Sequence, residues 1–188
     1  MMDGSIAQSM RDKGVNYKLN WGATLPRLKV KAAEIGKNYD LAIALWKEYI
    51  RECKILATMI MPADEVLPEV IDIWMEQTTS QEIAEQAAFN LYQHLPYAPE
   101  KAYTWMATDK PLYQLCGFHI LSRLFMNGQE PNERGINEFI DQALVALQEN
   151  NIAVKKAAMS AMQRFAELGL VYERLAKSAL KRANLDFL

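Results

Sequence analysis

Residues 40–61 read DLAIALWKEYIRECKILATMIM, and the fold follows from how this stretch is partitioned. Its apolar side chains recur at three- and four-residue spacing, the period of a helix with one buried face. Asp40 is the expected N-cap of a first helix running through Trp46. A second helix is expected from about Ile50 to Met61, stopped by Pro62. The same spacing continues along almost the whole chain. Strand-type alternation bounded by turn signals is missing, and Asn127-Gly128 lies between two helical patterns, where it reads as an interhelix loop.

Working outward, the pattern repeats. Trp46, Trp74 and Trp105 each close a first helix with an aromatic anchor, 28 and then 31 residues apart. Each second helix carries small residues at mid-face: Ala57, then Ala87 and Ala88, then Gly117, then Ala157, Ala158 and Ala161. Small residues let helices approach closely, and the indole fills the groove beside them. One such pair cannot bury its own apolar face, whereas stacked pairs can. The expected fold is therefore all-α, a HEAT-like α-solenoid of stacked antiparallel helix pairs.

Boundary signals place the other elements. A short helix is expected over Ser5–Lys13, then a loop through Asn20-Trp21-Gly22, then a helix opening at Pro26 and ended by Gly36. Another starts near Val66, with Leu67, Val70, Ile71, Trp74 and Met75 on one face. Thr79-Ser-Gln-Glu82 reads as a capping box opening a helix over Ser80–His94. Pro99 opens the next. Asp109 caps a helix over Leu112–Phe125. Asn132 or Arg134 starts one ending at Leu147. Asn151 caps Ile152–Leu168, and a last helix spans about Val171–Ala183.

The chain has 188 residues, 51% of them hydrophobic, which suits one domain with a sizeable core. No apolar run approaches the roughly 18–20 residues of a membrane span, so no membrane partner is expected. Met1-Met2-Asp3-Gly4-Ser5 has no basic flank before an apolar block, so a signal peptide is not expected either. Cys53 and Cys116 sit in apolar helical patterns and read as buried thiols of a reducing compartment. A cytoplasmic location is the expectation.

The net charge is −2, but its distribution is uneven. Residues 1–37 hold seven basic side chains against three acidic ones, and residues 150–188 hold the same balance. The central segment, 38–149, is correspondingly acidic. Two basic ends flanking an acidic centre suit contact with a phosphate backbone, or simply well-solvated helix faces.

Several chemistries find no support. The chain has no Walker loop, no Gly-x-Gly-x-x-Gly and no His-Glu-x-x-His. Its histidines are His94 and His119. Cys116 and His119 share a helix, but two ligands do not close a zinc site, so neither a metal nor another cofactor is expected.

The run Leu41-x4-Trp46-Lys-Glu-x-Ile-Arg51-Glu-x-Lys-x-Leu-Ala57, continued by Trp74 and by Thr79-Ser-Gln-Glu82-Ile-Ala-Glu85, carries a resemblance. It is similar to the AlkD-type DNA alkylation repair family, HEAT-like repeat DNA glycosylases that remove positively charged alkylated purines. The resemblance spans about residues 40–165 and makes the chain a divergent member. That family's catalytic segment is a hydroxyl residue, two tryptophans and Asp-x-x-Asp at a helix start. On this chain the hydroxyl residue falls on Thr79 and the tryptophans on Ser80 and Gln81. The two acids fall on Glu82 and Glu85. The resemblance thus implies Glu85, helped by Glu82, as the catalytic carboxylates. A carboxylate there would stabilise oxocarbenium-like charge or position water.

Two more family features depart here. A phosphate-contacting Trp-Arg-Arg-Arg run is replaced by Tyr113-Gln114-Leu-Cys116, and a later tryptophan is absent from Val154–Arg164. Lys155, Lys156 and Arg164 remain there to contact DNA, with Arg51 as a further expected DNA-binding cation. The resulting expectation is a duplex-DNA-binding repair protein with possible glycosylase activity. The alternative is a non-catalytic HEAT-repeat scaffold for a protein partner.

Overall fold

The helical period is realised along nearly the entire chain. The computed structural model describes residues 3–12, 21–185 and 187–188, the side chains of 10–12 excepted. Lys13, Lys18 and Asn20, which entered the sequence reading, lie outside the described residues, as does Asp186. Among the described residues there are eleven α-helices, one 3-10 turn and no β-strand. None of these helices is long and apolar enough to cross a membrane. The chain divides into two compact units, Met1–Pro96 and Tyr97–Leu188.

The first unit holds α1 (Gly4–Asp12), α2 (Leu25–Ile35), α3 (Tyr39–Lys47), α4 (Arg51–Ile60), α5 (Pro68–Glu76), α6 (Gln81–Asn90) and a 3-10 turn at Tyr92–His94. Helices α3 and α4 form a hairpin, and α4 also packs on α2 and α6. Asp3 opens α1, its Oδ1 accepting from the backbone N–H of Ser5 at 3.1 Å and of Ile6 at 3.2 Å. Its own N–H donates to the Trp21 carbonyl at 2.6 Å. Gly22 makes that approach possible: it sits at φ 72°, and a Cβ would lie 2.1 Å from the Asp3 oxygen.

The core of this unit is the seam expected from the tryptophans and alanines. Trp46, Trp74, Ala57, Ala87 and Ala88 are all buried. The Trp46 and Trp74 rings lie 4.3 Å apart at 5°, stacked on one another. Two anchors one repeat apart therefore meet directly, so each repeat buries its neighbour's aromatic face.

The second unit holds α7 (Ala98–Met106), α8 (Pro111–Met126), α9 (Glu133–Gln148), α10 (Ile152–Ala166) and α11 (Leu170–Arg182). Helix α8 packs against α7 and α10, and α10 also touches α9 and α11. The last repeat lacks a tryptophan and uses phenylalanines instead. Phe125, Phe139 and Phe165 meet at ring separations of 5.1–5.6 Å, and Tyr172 extends the cluster into α11 at 5.2 Å from Phe165. Ala157, Ala158 and Ala161 of α10 are fully buried in the same unit.

Several boundaries move by one to four residues. Asn38, not Asp40, caps α3, accepting from the Leu41 N–H at 3.0 Å. Helix α5 begins at Pro68 rather than Val66, and Leu67 is 63% exposed instead of sharing the buried face. Ser80 caps α6 through the Ile83 N–H at 3.2 Å, so Glu82 is not the reciprocal member of a capping box. The helix then stops at Asn90, before the 3-10 turn. Lys110 rather than Asp109 precedes α8. Asn132 and Asn151 cap α9 and α10.

Candidate carboxylate site and nucleic-acid interface

Helix α4 opens on two charged residues, Arg51 and Glu52, that are 1% and 0% exposed. A pair this deep is tolerated only when every polar atom is occupied. Arg51 meets that condition. Its Nε donates to Glu82 Oε2 at 2.7 Å and its Nη2 to Glu82 Oε1 at 2.5 Å, a two-point contact. Its Nη1 donates to the Ala23 carbonyl at 2.8 Å and to Glu52 Oε1 at 3.0 Å. Glu52 in turn accepts from the backbone N–H of Trp21 at 3.1 Å and of Ala23 at 3.2 Å. Burial pulls the guanidinium pKa down, but the hydrogen bonds and charges of Glu82 and Glu52 outweigh it. The net shift is upward. Arg51 stays charged and joins the 21–23 loop, α4 and α6.

Beside it lies a second buried cation. Lys54, 8% exposed, donates to the Trp46 carbonyl at 2.8 Å, with its Nζ 4.3 Å from the Trp46 ring centre. Burial lowers its pKa. Trp46 Nε1 donates to Gln77 Oε1 at 2.8 Å. With both faces and its N–H engaged, Trp46 is a core anchor rather than a platform for a base.

Glu82 and Glu85 stand one turn apart on α6. The Glu82 side chain is 26% exposed and held by Arg51. Glu85 is half-buried and accepts from Gln81 Nε2 at 2.8 Å. The structure thus brings Arg51 and Glu82 together, but as a partly buried ion pair. The guanidinium directs its donors inward, away from any phosphate. Glu52 and Lys54 were not singled out from the sequence. No local sequence signal marked them; it is the burial of α4, seen only in the structure, that makes its charges find interior partners.

Lys155, Lys156 and Arg164 belong to the second unit, on α10. Lys155 is half-buried and Lys156 exposed. Among the described residues neither lysine forms an ion pair. Arg164 is spanned to Glu167 at 2.7 Å, with 42% of its side chain exposed. Cys53 and Cys116 are buried and not disulfide-bonded, and burial raises the Cys53 pKa. Among the described residues no three His, Cys, Asp or Glu side chains gather as a metal-binding group.

No family pattern matches the chain, and no curated protein matches its sequence. A solved structure does match its backbone, with a TM-score of 0.84 at 15% identity. That protein belongs to a family related to the HEAT-like repeat DNA glycosylases with affinity for branched DNA structures. The match covers 97% of this chain and 78% of that one. The chain has a HEAT-like repeat fold. At this identity the likeness speaks for the backbone alone, since one fold hosts many chemistries.

Proposed function

We propose that this chain binds DNA through α10, with Lys155, Lys156 and Arg164 contacting phosphates. The observation that carries this reading is the lysine pair. Two adjacent cations on one helix have no carboxylate partner among the described residues, in a protein whose centre is acidic. Such cations release counterions when they meet a phosphate backbone. The solved structural counterpart, from a family with affinity for branched DNA structures, supports the same class of ligand. The test is fluorescence anisotropy with a plain duplex and a four-way junction at low and raised salt. Binding that weakens steeply with salt is expected. No binding to either DNA at low salt would leave the protein-scaffold reading in its place.

The finer reading is AlkD-type excision of an alkylated purine, and it rests on Glu85. Arg51 occupies the Glu82 carboxylate and acts as a positioning residue for the start of α6. Glu85 would stabilise positive charge developing on the sugar or orient water. Ser80 and Gln81 stand where the family's stacking tryptophans fall, so cation–π grip on the lesion is weak there. Glu85→Gln is expected to abolish release of a methylated purine from alkylated duplex DNA. Unchanged release by that variant would remove Glu85 from the site.

A further inference from the structure

A pair of hydroxyls joins α8 to α10. Ser122 Oγ and Ser160 Oγ lie 3.1 Å apart, with Ser122 buried and Ser160 half-buried. Interior hydroxyls elsewhere in the chain donate back to a carbonyl three or four residues earlier, Thr58 to Ile55 and Thr78 to Trp74, both at 2.7 Å. The two serines do not. Among the described residues each serine hydroxyl has only the other as its partner. A hydroxyl carries one hydrogen and two lone pairs, so one hydrogen of the pair makes the contact and the other is left over. Ser122 is buried, so the hydroxyl able to turn its hydrogen outward is that of Ser160.

That hydrogen emerges between two cations. Lys156, Ser160 and Arg164 follow at four-residue spacing, which sets them in a row along one flank of α10, about 6 Å apart along its axis. Lys156 is exposed and forms no ion pair among the described residues. Arg164 gives Nη1 to Glu167 at 2.7 Å, an exposed contact of little worth. Its Nε and Nη2 have no partner among the described residues. A cation, a neutral donor and a second cation at this step match consecutive phosphates of one nucleic-acid strand, where hydroxyls as well as cations serve as backbone contacts. We infer that α10 lies along one DNA strand, and that Ser160 donates to a phosphate oxygen between the phosphates met by Lys156 and Arg164. Ser122 is a positioning residue that fixes the Ser160 hydroxyl. This deepens the DNA-binding reading of α10 and rests on it.

The experiment is anisotropy titration of the full chain with a plain duplex and a four-way junction over a salt series. A neutral hydroxyl displaces no counterion. Ser160→Ala is therefore expected to weaken binding about tenfold, as loss of a hydrogen bond to a charged group does, with the slope of log affinity against log salt as in wild type. Lys156→Ala differs in kind, because it lowers that slope by about 1. A second comparison uses charge. Ser160→Asp puts a carboxylate into the row, whereas Ser178→Asp adds the same charge on the exposed side of α11. The first is expected to lose over about tenfold more affinity at low salt than the second. Circular dichroism and melting temperature as in wild type show that each variant is folded. Wild-type affinity in Ser160→Ala would overturn the inference, as would equal losses from the two aspartate variants, and either result leaves the lysine reading standing. A wild-type protein that binds neither DNA overturns both.

Discussion

Arg51 carries five N–H donors on one planar fork, and the structure uses Nε, Nη1 and Nη2 inside the protein. Removing that fork leaves Glu52, at 0% exposure, without its counter-ion. Arg51→Met is therefore expected to destabilise the fold by about 3–5 kcal/mol, the usual result of breaking one side of a buried pair. Urea unfolding followed by circular dichroism measures it. A loss under about 1 kcal/mol would mean that the pair is solvated and weak. Tyr103 offers a second test. Its hydroxyl is buried without a hydrogen-bond partner among the described residues. Burial, with the nearby Glu138 charge, raises its pKa from 10.0 to about 12. Between those values the folded state holds a proton that the unfolded chain has released. Its contribution to stability is thus intact below pH 10 and lost as the pH climbs toward 12. Tyr103→Phe should flatten that alkaline loss in unfolding curves recorded across this window, while leaving stability near neutral pH unchanged or slightly higher. The roles of these residues were not legible in the sequence, because nothing local distinguishes an interior arginine from a surface one.

Helices form from local information, and at this scale the reading of the chain is close to the structure. Proline at the first turn of α2, α5, α7 and α8 and side-chain caps from asparagine or serine agree with the boundary signals to within a few residues. The misses are informative. Placing the α6 cap on Thr79 put Glu82 in a capping box. With Ser80 as the cap, Glu82 is released to reach Arg51. Helix spacing was equally legible through its small residues. A Cβ on Gly117 would fall 2.7 Å from the Ala102 carbonyl oxygen and 2.8 Å from the Met106 nitrogen, both backbone atoms of α7. Gly117→Ala is therefore expected to push α7 and α8 apart and cost about 1–3 kcal/mol, typical of overpacking. A thermal melt checks it, since alanine is otherwise the better helix former. A melting temperature at or above wild type would show that the two helices do not pack this closely.

In the first unit the repeats are tied by polar links between residues one repeat apart. Trp46 reaches Gln77, Arg51 reaches Glu82, and Asn90 reaches back to Thr58 at 3.1 Å. These links span 31 or 32 residues, close to the 28- and 31-residue spacing of the tryptophans, so the repeat seen in the sequence is matched by a repeat of contacts. Charge belongs to the whole molecule as well. With about one counterion released per phosphate neutralised, Lys155→Ala/Lys156→Ala should make the plot of log affinity against log salt shallower by about 2. Anisotropy titrations over a salt series give that slope. A slope equal to wild type would place DNA contact elsewhere than α10.

What the sequence determined by itself was the all-helical repeat, because helix period, caps and small-residue positions act over a few neighbouring residues. Tertiary structure alone decided which charges are available for function. Arg51 and Glu82 lie 31 positions apart in the chain. Only packing brings them within hydrogen-bonding distance and strips water from the Arg51 side, so that the expected phosphate ligand and the expected helper carboxylate meet as a partly buried ion pair.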